Sequence, residues 1–244
     1  MTLRATRPSV GGVHLVFDER DWTGAPFWRF AELHFEVGPL AGLRLTDFEI
    51  DGHVAGIIWV HLPAHRRFTE VGSPREMLGP PFIRSATSDP APERRLQDWI
   101  EDEYRLWVRE REAGITRSPR PRRRRPAAAG TGAVHVVFVA PRVRRAWLTA
   151  EVEIHFDDGP LVGLKLTGLT LWRDHERGVL YAHMPARVIG IKPLRRFHDY
   201  IRGATDDPAP MRRFRAWIVA EYERQQGSAA APRPWPRRRR RAAR

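Results

Sequence analysis

The chain contains no cysteine. Disulfides, thiolate metal sites and thiol nucleophiles are excluded with it. Lysine is almost missing too: of 42 basic residues only Lys165 and Lys192 are lysines, and the rest are arginines. No apolar run approaches the ~20 residues of a membrane-spanning helix. The opening MTLRATRPSVGG lacks the apolar centre of a secretory leader. A soluble, cytoplasmic protein is the expectation. Catalytic signatures are absent as well, with no Gly-x-Ser-x-Gly, no His-Glu-x-x-His and no glycine-rich phosphate loop. The paired carboxylates Asp157-Asp158 and Asp206-Asp207 fall at a turn and a helix start, which is reason enough for both. The chain therefore reads as a non-enzyme that calls for no cofactor.

What is present is one unit written twice. VHLVF at Val13–Phe17 returns as VHVVF at Val134–Phe138, and HFEVGPLAGLRLT at His34–Thr46 as HFDDGPLVGLKLT at His155–Thr167. HLPA at His61–Ala64 returns as HMPA at His183–Ala186, and the block Ile83–Tyr104 as Ile201–Tyr222. Over Val13–Ile50 against Val134–Leu171, 15 of 38 positions are identical; over the final block, 14 of 22 are. The offset of 118 to 122 residues is too long for a solenoid repeat, so each copy is a small domain. The expected organisation is a flexible N-terminus over 1–12, a first repeat over 13–112 and an Arg/Pro/Ala-rich linker over 113–133. A second repeat over 134–226 and an arginine-rich disordered tail over 227–244 complete it.

Charge is not spread over this plan. Arg117–Arg125 holds six arginines and Arg233–Arg244 seven, neither segment with an acid, and together they equal the net charge of +13. The rest of the chain, both repeats included, sums to zero, with 29 basic against 29 acidic residues. Like-charge runs cannot bury a core and form solvated arms that attract polyanions.

Each repeat reads as strands first and helix last. Val13–Phe17, Phe30–Glu36 and Leu40–Ile50 alternate apolar and polar residues, the second ending at the turn Gly38-Pro39. The continuous apolar runs Gly56–His61 and Gly178–His183 suggest central, well-buried strands, ended by Pro63 and Pro185. Asp89-Pro90 and Asp207-Pro208 announce a helix. Its apolar stripe runs through Leu96, Trp99, Ile100, Glu103 and Trp107, and through Phe214, Trp217, Ile218 and Tyr222. The fold class is α+β: two tandem copies of a small antiparallel β-sheet domain, each closed by a C-terminal amphipathic helix, packed as a pseudo-dimer.

Histidines recur in register, His14 with His135, His34 with His155 and His61 with His183. Three imidazoles, one per strand, are suitable zinc or copper ligands. They alternate with apolar neighbours, however, which equally places them on a solvent face, and no metal is assigned.

The second copy has Asp157-Asp158, Leu161–Leu166, Gly178–Leu180, Met184-Pro185-Ala186-Arg187, Phe197–Ile201 and Val219–Arg224 in that order. This order resembles the bacterial stage V sporulation protein G family of septation regulators. The resemblance covers most of each repeat. It implies a homodimeric domain that binds DNA and RNA to regulate expression, here fused in one chain as a monomeric pseudo-dimer. It also implies a basic pair after the Met-Pro strand end, which by position is His65, Arg66 and Arg67 in copy one and Arg187 in copy two. Both copies depart from the family in having Ala after the proline. Copy two has Val188 for the second basic residue, and copy one has Gly79-Pro80-Pro81-Phe82 for Arg-Phe-x-Asp.

The reading taken forward is a non-enzymatic nucleic-acid-binding regulator whose partner is DNA or RNA. Its phosphate contacts are assigned to Arg66, Arg67, Arg187, Arg195, Arg196, Arg212 and Arg213 on the repeats. The arms add Arg122, Arg123, Arg124 and Arg125, and Arg237, Arg238, Arg239, Arg240 and Arg241. Arg84, Arg94, Arg95 and Arg202 lie in the same clusters, and Trp235 in the tail is placed to stack on a base. The rival is a protein-interaction scaffold with solubilising basic tails, in which the acid-rich first repeat meets a protein.

Overall fold

The computed structural model describes residues 5–6, 12–17, 28–52, 57–67, 77–114, 133–141, 145–189 and 196–228. Copy one forms β1 (Ala5–Thr6), β2 (Val13–Phe17), β3 (Trp28–Phe35), β4 (Leu43–Gly52), β5 (Ile58–His61), β6 (Ala64–Arg67), β7 (Met77–Pro81), β8 (Ile83–Ser85) and α1 (Ala91–Glu112). Copy two forms β9 (Val134–Val139), β10 (Leu148–Phe156), β11 (Leu164–Arg173), β12 (Leu180–His183), β13 (Ala186–Ile189), β14 (Arg196–Asp199), β15 (Ile201–Gly203) and α2 (Ala209–Ser228), with a 3-10 turn at Gly159–Leu161. Among the described residues, two larger antiparallel sheets, two two-stranded ribbons and two helices make an α+β protein.

Alternation sets the faces of these strands. Val13, Leu15 and Phe17 on β2 point with Ala31, Leu33 and Phe35 on β3 into the core. On β4 the apolar face changes phase, from Leu43 and Leu45 to Phe48 and Ile50, which strict alternation forbids. A bulge solves this: Ala31 opposes Phe48 while Leu33 opposes Leu45, leaving one extra residue on β4. Asp47, at φ 71°, sits in that extra stretch. Copy two repeats the device with Gly168 at φ 82°.

The two copies exchange strands. The N-terminal part of β4, Leu43–Leu45, pairs with β15 of the second copy, and the rest of the same edge with β5. Reciprocally, Leu164–Leu166 of β11 pairs with β8 of the first copy, and its remainder with β12. The first sheet runs β1-β2-β3-β4 and the second β9-β10-β11, each closed by one strand of its own and one of the other's. Further backbone bonds extend each seam, Thr46 N–H to Tyr200 C=O at 3.0 Å and Thr167 N–H to Phe82 C=O at 2.8 Å. Equivalent residues meet each other there. Phe82 stacks on Tyr200 with centroids 5.4 Å apart, and Phe35 on Phe156 at 6.1 Å. One continuous core results, drawing buried side chains from both copies.

Both helices also reach across. The Pro92 ring of α1 lies against Gly163, and Pro210 of α2 against Gly42. Each glycine has φ 80°, and a Cβ at Gly42 would come within 2.9 Å of Pro210. The second glycine of the repeated GPLxGL motif is thus required by backbone and by neighbour alike. The carboxylates of Asp89 and Asp207 accept the N–H groups of Ala91 and Ala209 at 2.9 and 2.8 Å, holding the helix starts.

Three expectations change. The apolar runs expected to form central strands are edge strands: among the described residues β5 and β12 each pair on one side only, burying Val60 and Ala182 while Trp59 stays 58% exposed. A short apolar run carries no periodicity that separates these cases. The helix stripe is narrower than expected. Leu96, Ile100 and Trp107, with Phe214 and Ile218, are fully covered, whereas Trp99 and Trp217 are half-buried at its margin and Glu103 and Tyr222 are likewise half-buried. After Pro63 and Pro185, the prolines expected to end these strands, the chain goes on as two-stranded ribbons, β6 with β7 and β13 with β14.

Because Phe82 belongs to one copy yet fills the seam of both, Phe82→Ala is expected to cost about 3–5 kcal/mol. It should lower a single unfolding transition in calorimetry; two separated transitions, with one unmoved, would show that the copies fold independently.

Candidate nucleic-acid interface

The strand register assembles a polar row across the outer face of each sheet. His14 opposes His34, His34 opposes Arg44, and Arg44 opposes Arg202, which arrives from copy two on β15. Directly opposed residues share a face. The second row is built the same way, His135, His155, Lys165 and then Arg84 from copy one on β8. Strand exchange therefore supplies the last cation of each row.

A carboxylate sits at the middle of both. Glu32 accepts from Arg44 at 2.9 and 3.1 Å and contacts His34 Nε2 at 2.9 Å. Glu153 accepts from Lys165 at 2.9 Å and contacts His155 at 3.0 Å, with the Arg84 guanidinium 3.8 Å away. At the outer ends His14 meets Glu36 at 3.0 Å and His135 meets Asp157 at 2.7 Å. The imidazoles lie side by side, with centroids 5.1 Å apart in the first row and 5.0 Å in the second.

Burial and neighbours tune these groups. Burial lowers the His14 pKa, the adjacent His34 lowers it further, and Glu36 opposes both. Burial alone would raise Glu153, but hydrogen bonds and charge from Lys165 and His155 outweigh it and leave the carboxyl below its usual value. Arg202 is lowered mainly by burial, with Asp47 opposing and Arg44 adding to the effect. The third histidine of each in-register trio stands apart, His61 opposite Glu49 and His183 opposite Thr170. Among the described residues no group of three or more His, Cys, Asp or Glu side chains is arranged to hold a metal.

The assigned arginines fall in several places. Arg66 and Arg67 lie on β6, Arg187 on β13 and Arg196 on β14, so each copy carries its basic residues on a ribbon. Arg187 registers with His198, and Ile189 with Arg196. Arg212 and Arg213 are exposed on the first turns of α2, as Arg94 and Arg95 are on α1. Arg195, Arg122–Arg125, Arg237–Arg241 and Trp235 lie outside the described residues. Arg84 and Arg202, grouped in sequence with the helix starts, instead belong to the polar rows. The sequence marks them by the double occurrence of Ile-Arg at 83–84 and 201–202.

The helices differ in what they show to solvent. α1 exposes Asp98 and Asp102 beside Arg94 and Arg95, whereas α2 has Ala216 and Ala220 at those positions and exposes Arg212, Arg213 and Arg215. Arg95 is also tied across the seam, donating to Val162 C=O at 3.2 Å. No helix among the described residues is long and apolar enough to cross a membrane. Comparison with family models, with curated proteins and with solved structures finds no match to this chain.

The His14 environment has a pH consequence. Its folded-state value lies below that of an unfolded histidine, so the unfolded chain binds the proton more readily. The stability that this contributes is present above about pH 6.5 and is lost as pH falls. Cooling of the thermal midpoint between about pH 7 and about pH 5 should be smaller in His14→Gln than in the parent chain; an identical drop would remove His14 from the account.

Proposed function

We propose that the chain is a non-enzymatic regulatory protein that binds DNA or RNA, with two sporulation-protein-G-like domains as a rigid body and arginine arms supplying phosphate contacts. The carrying observation is the location of the charge: thirteen arginines in two acid-free segments equal the net +13, and the rest of the chain sums to zero. Supporting it, Arg66 and Arg67, and Arg187 and Arg196, are on two-stranded ribbons, an element that fits a nucleic-acid major groove. The arginine-bearing exposed face of α2 points to copy two as the main contact. Arginine's planar fork meets phosphate oxygens in pairs. The site of action on this reading is the cytoplasm.

We further propose that the copies correspond to the two subunits of a dimer, joined in one chain that is itself monomeric. The reciprocal seams and the self-meeting pairs Phe35–Phe156 and Phe82–Tyr200 favour it. Sedimentation should give the mass of a single chain across a wide concentration range, and an obligate dimer would refute the fused-dimer reading.

A second reading, a protein-interaction scaffold, draws on the acidic exposed positions Asp98 and Asp102 of α1 and on the exposed Ile57 and Trp59 of copy one. Retention on DNA and RNA across a salt series separates the two. On the nucleic-acid reading the full chain loses affinity steeply with salt, and removing Arg233–Arg244 weakens binding to every sequence and flattens the log–log slope. Replacing Arg187, Arg195 and Arg196 by Ala gives a smaller loss that falls on sequence or strand preference, because Arg187 and Arg196 lie on a folded ribbon, where groups can read shape as well as phosphate. Failure of the full chain to bind either nucleic acid at low salt would leave the scaffold reading in possession.

A further inference from the structure

Aromatic rings at one end of the second sheet are left partly to solvent, outside the core. Trp147 is 54% exposed and Tyr181 is 47% exposed. Trp172 lies directly opposite Tyr181 and, on its other side, directly opposite Leu148, so these three share one face. The indole N–H of Trp172 donates to Thr170 Oγ1 at 2.8 Å, which fixes that ring. His175 stands edge-on to Trp147 with centroids 5.6 Å apart.

Trp147 is held at φ 74°, a left-handed backbone that a bulky residue adopts at a cost. With its ring half in solvent, it regains little of that cost by packing. Arg145 and Arg177 are exposed in the loops beside these rings, and Arg173, exposed at the end of β11, is anchored by donating to Gly178 C=O at 3.0 Å. Two acids share these loops. Asp174 is occupied in accepting the N–H groups of Glu176 and Arg177, both at 2.9 Å, while Glu176 lies 4.0 Å from His175. Copy one differs at the centre of this face, where Asp51 stands opposite Trp59 while copy two has Trp172 opposite Tyr181.

We propose that this platform stacks unpaired bases of single-stranded nucleic acid; the inference rests on the nucleic-acid reading above. An unpaired base offers a π-face to a ring while its phosphate meets an arginine, which is the chemistry gathered here. Paired bases are hidden in the duplex stack, so the platform selects single strands. Every base has a π-face, so the contact tolerates any sequence.

The test uses the full chain carrying Trp235→Phe, so that the tail contributes no indole. It is titrated with oligo(dT), with oligo(U) and with an abasic oligodeoxynucleotide of equal length, which keeps the phosphates and lacks the bases. The base-bearing strands should bind about tenfold tighter than the abasic one and quench indole emission. Whichever of oligo(dT) and oligo(U) binds tighter identifies the favoured nucleic acid. Trp147→Gly, which suits the left-handed backbone, and Tyr181→Ser should each bring affinity toward the abasic value without lowering the thermal midpoint. Equal affinity for all three strands overturns the platform and leaves phosphate binding intact, whereas no binding to any of them defeats the nucleic-acid reading itself. Unchanged affinity in both variants, with loss of a concentration-dependent self-association, would make the face a contact between chains and sink the proposal.

Discussion

Everything in this fold leans on two short registers of backbone pairing, three residues of β15 along β4 and three of β8 along β11. A three-residue strand has little stability of its own. These two persist because each is laid beside a ten-residue strand and continued by a buried aromatic, Phe82 or Tyr200. Once they are in place the helix that follows has only one place to go. Its first proline lands against the other copy's glycine turn, and its apolar stripe returns to cover its own sheet, with Phe17 meeting Tyr104 and Trp107.

The same pairing decides where polar groups can gather. Charged side chains on an outer sheet face ordinarily pair within their own domain. Here Arg44 and Lys165 each face an arginine supplied by the other copy, and the carboxylates of Glu32 and Glu153 hold the rows together between cations and imidazoles. Like charges opposed across a ladder destabilise unless a counter-charge lies between them, which gives the glutamates a structural task independent of any ligand. Both rows are a seam fastening first, and whatever they bind would have to compete with those glutamates.

Much of the architecture was legible in the residues. The duplication, the α+β class, the alternating strands of β2 and β3 and the Asp-Pro helix starts all follow from local pattern. The strand exchange did not, because Ile83–Ser85 and Ile201–Gly203 are too short to show a period and their partners lie in the other repeat. Nor did the bulge: Leu45 to Phe48 looks like a continuing face only if a residue is skipped, and nothing local says that Asp47 is the one. For the candidate interface, the identity of the basic residues was visible while their grouping was not. Arg84 and Arg94 are close in sequence, yet one joins a sheet row and the other a helix surface. The exposure of the aromatics of copy two is not legible in the sequence, because Trp and Tyr beside strands read most simply as core.

Exchange also changes what the duplicated gene is free to do. A symmetric dimer of one short chain must show the same surface twice, since one codon writes both halves. Here Asp51 and Trp172, or Asp98 and Ala216, stand at matching positions with different chemistry. That freedom stops at the seam, where a substitution in either repeat alters a sheet that belongs mostly to its neighbour. The copies can drift apart in what they present to the outside while remaining hostage to each other within, and neither can be lost without orphaning the strand it lends.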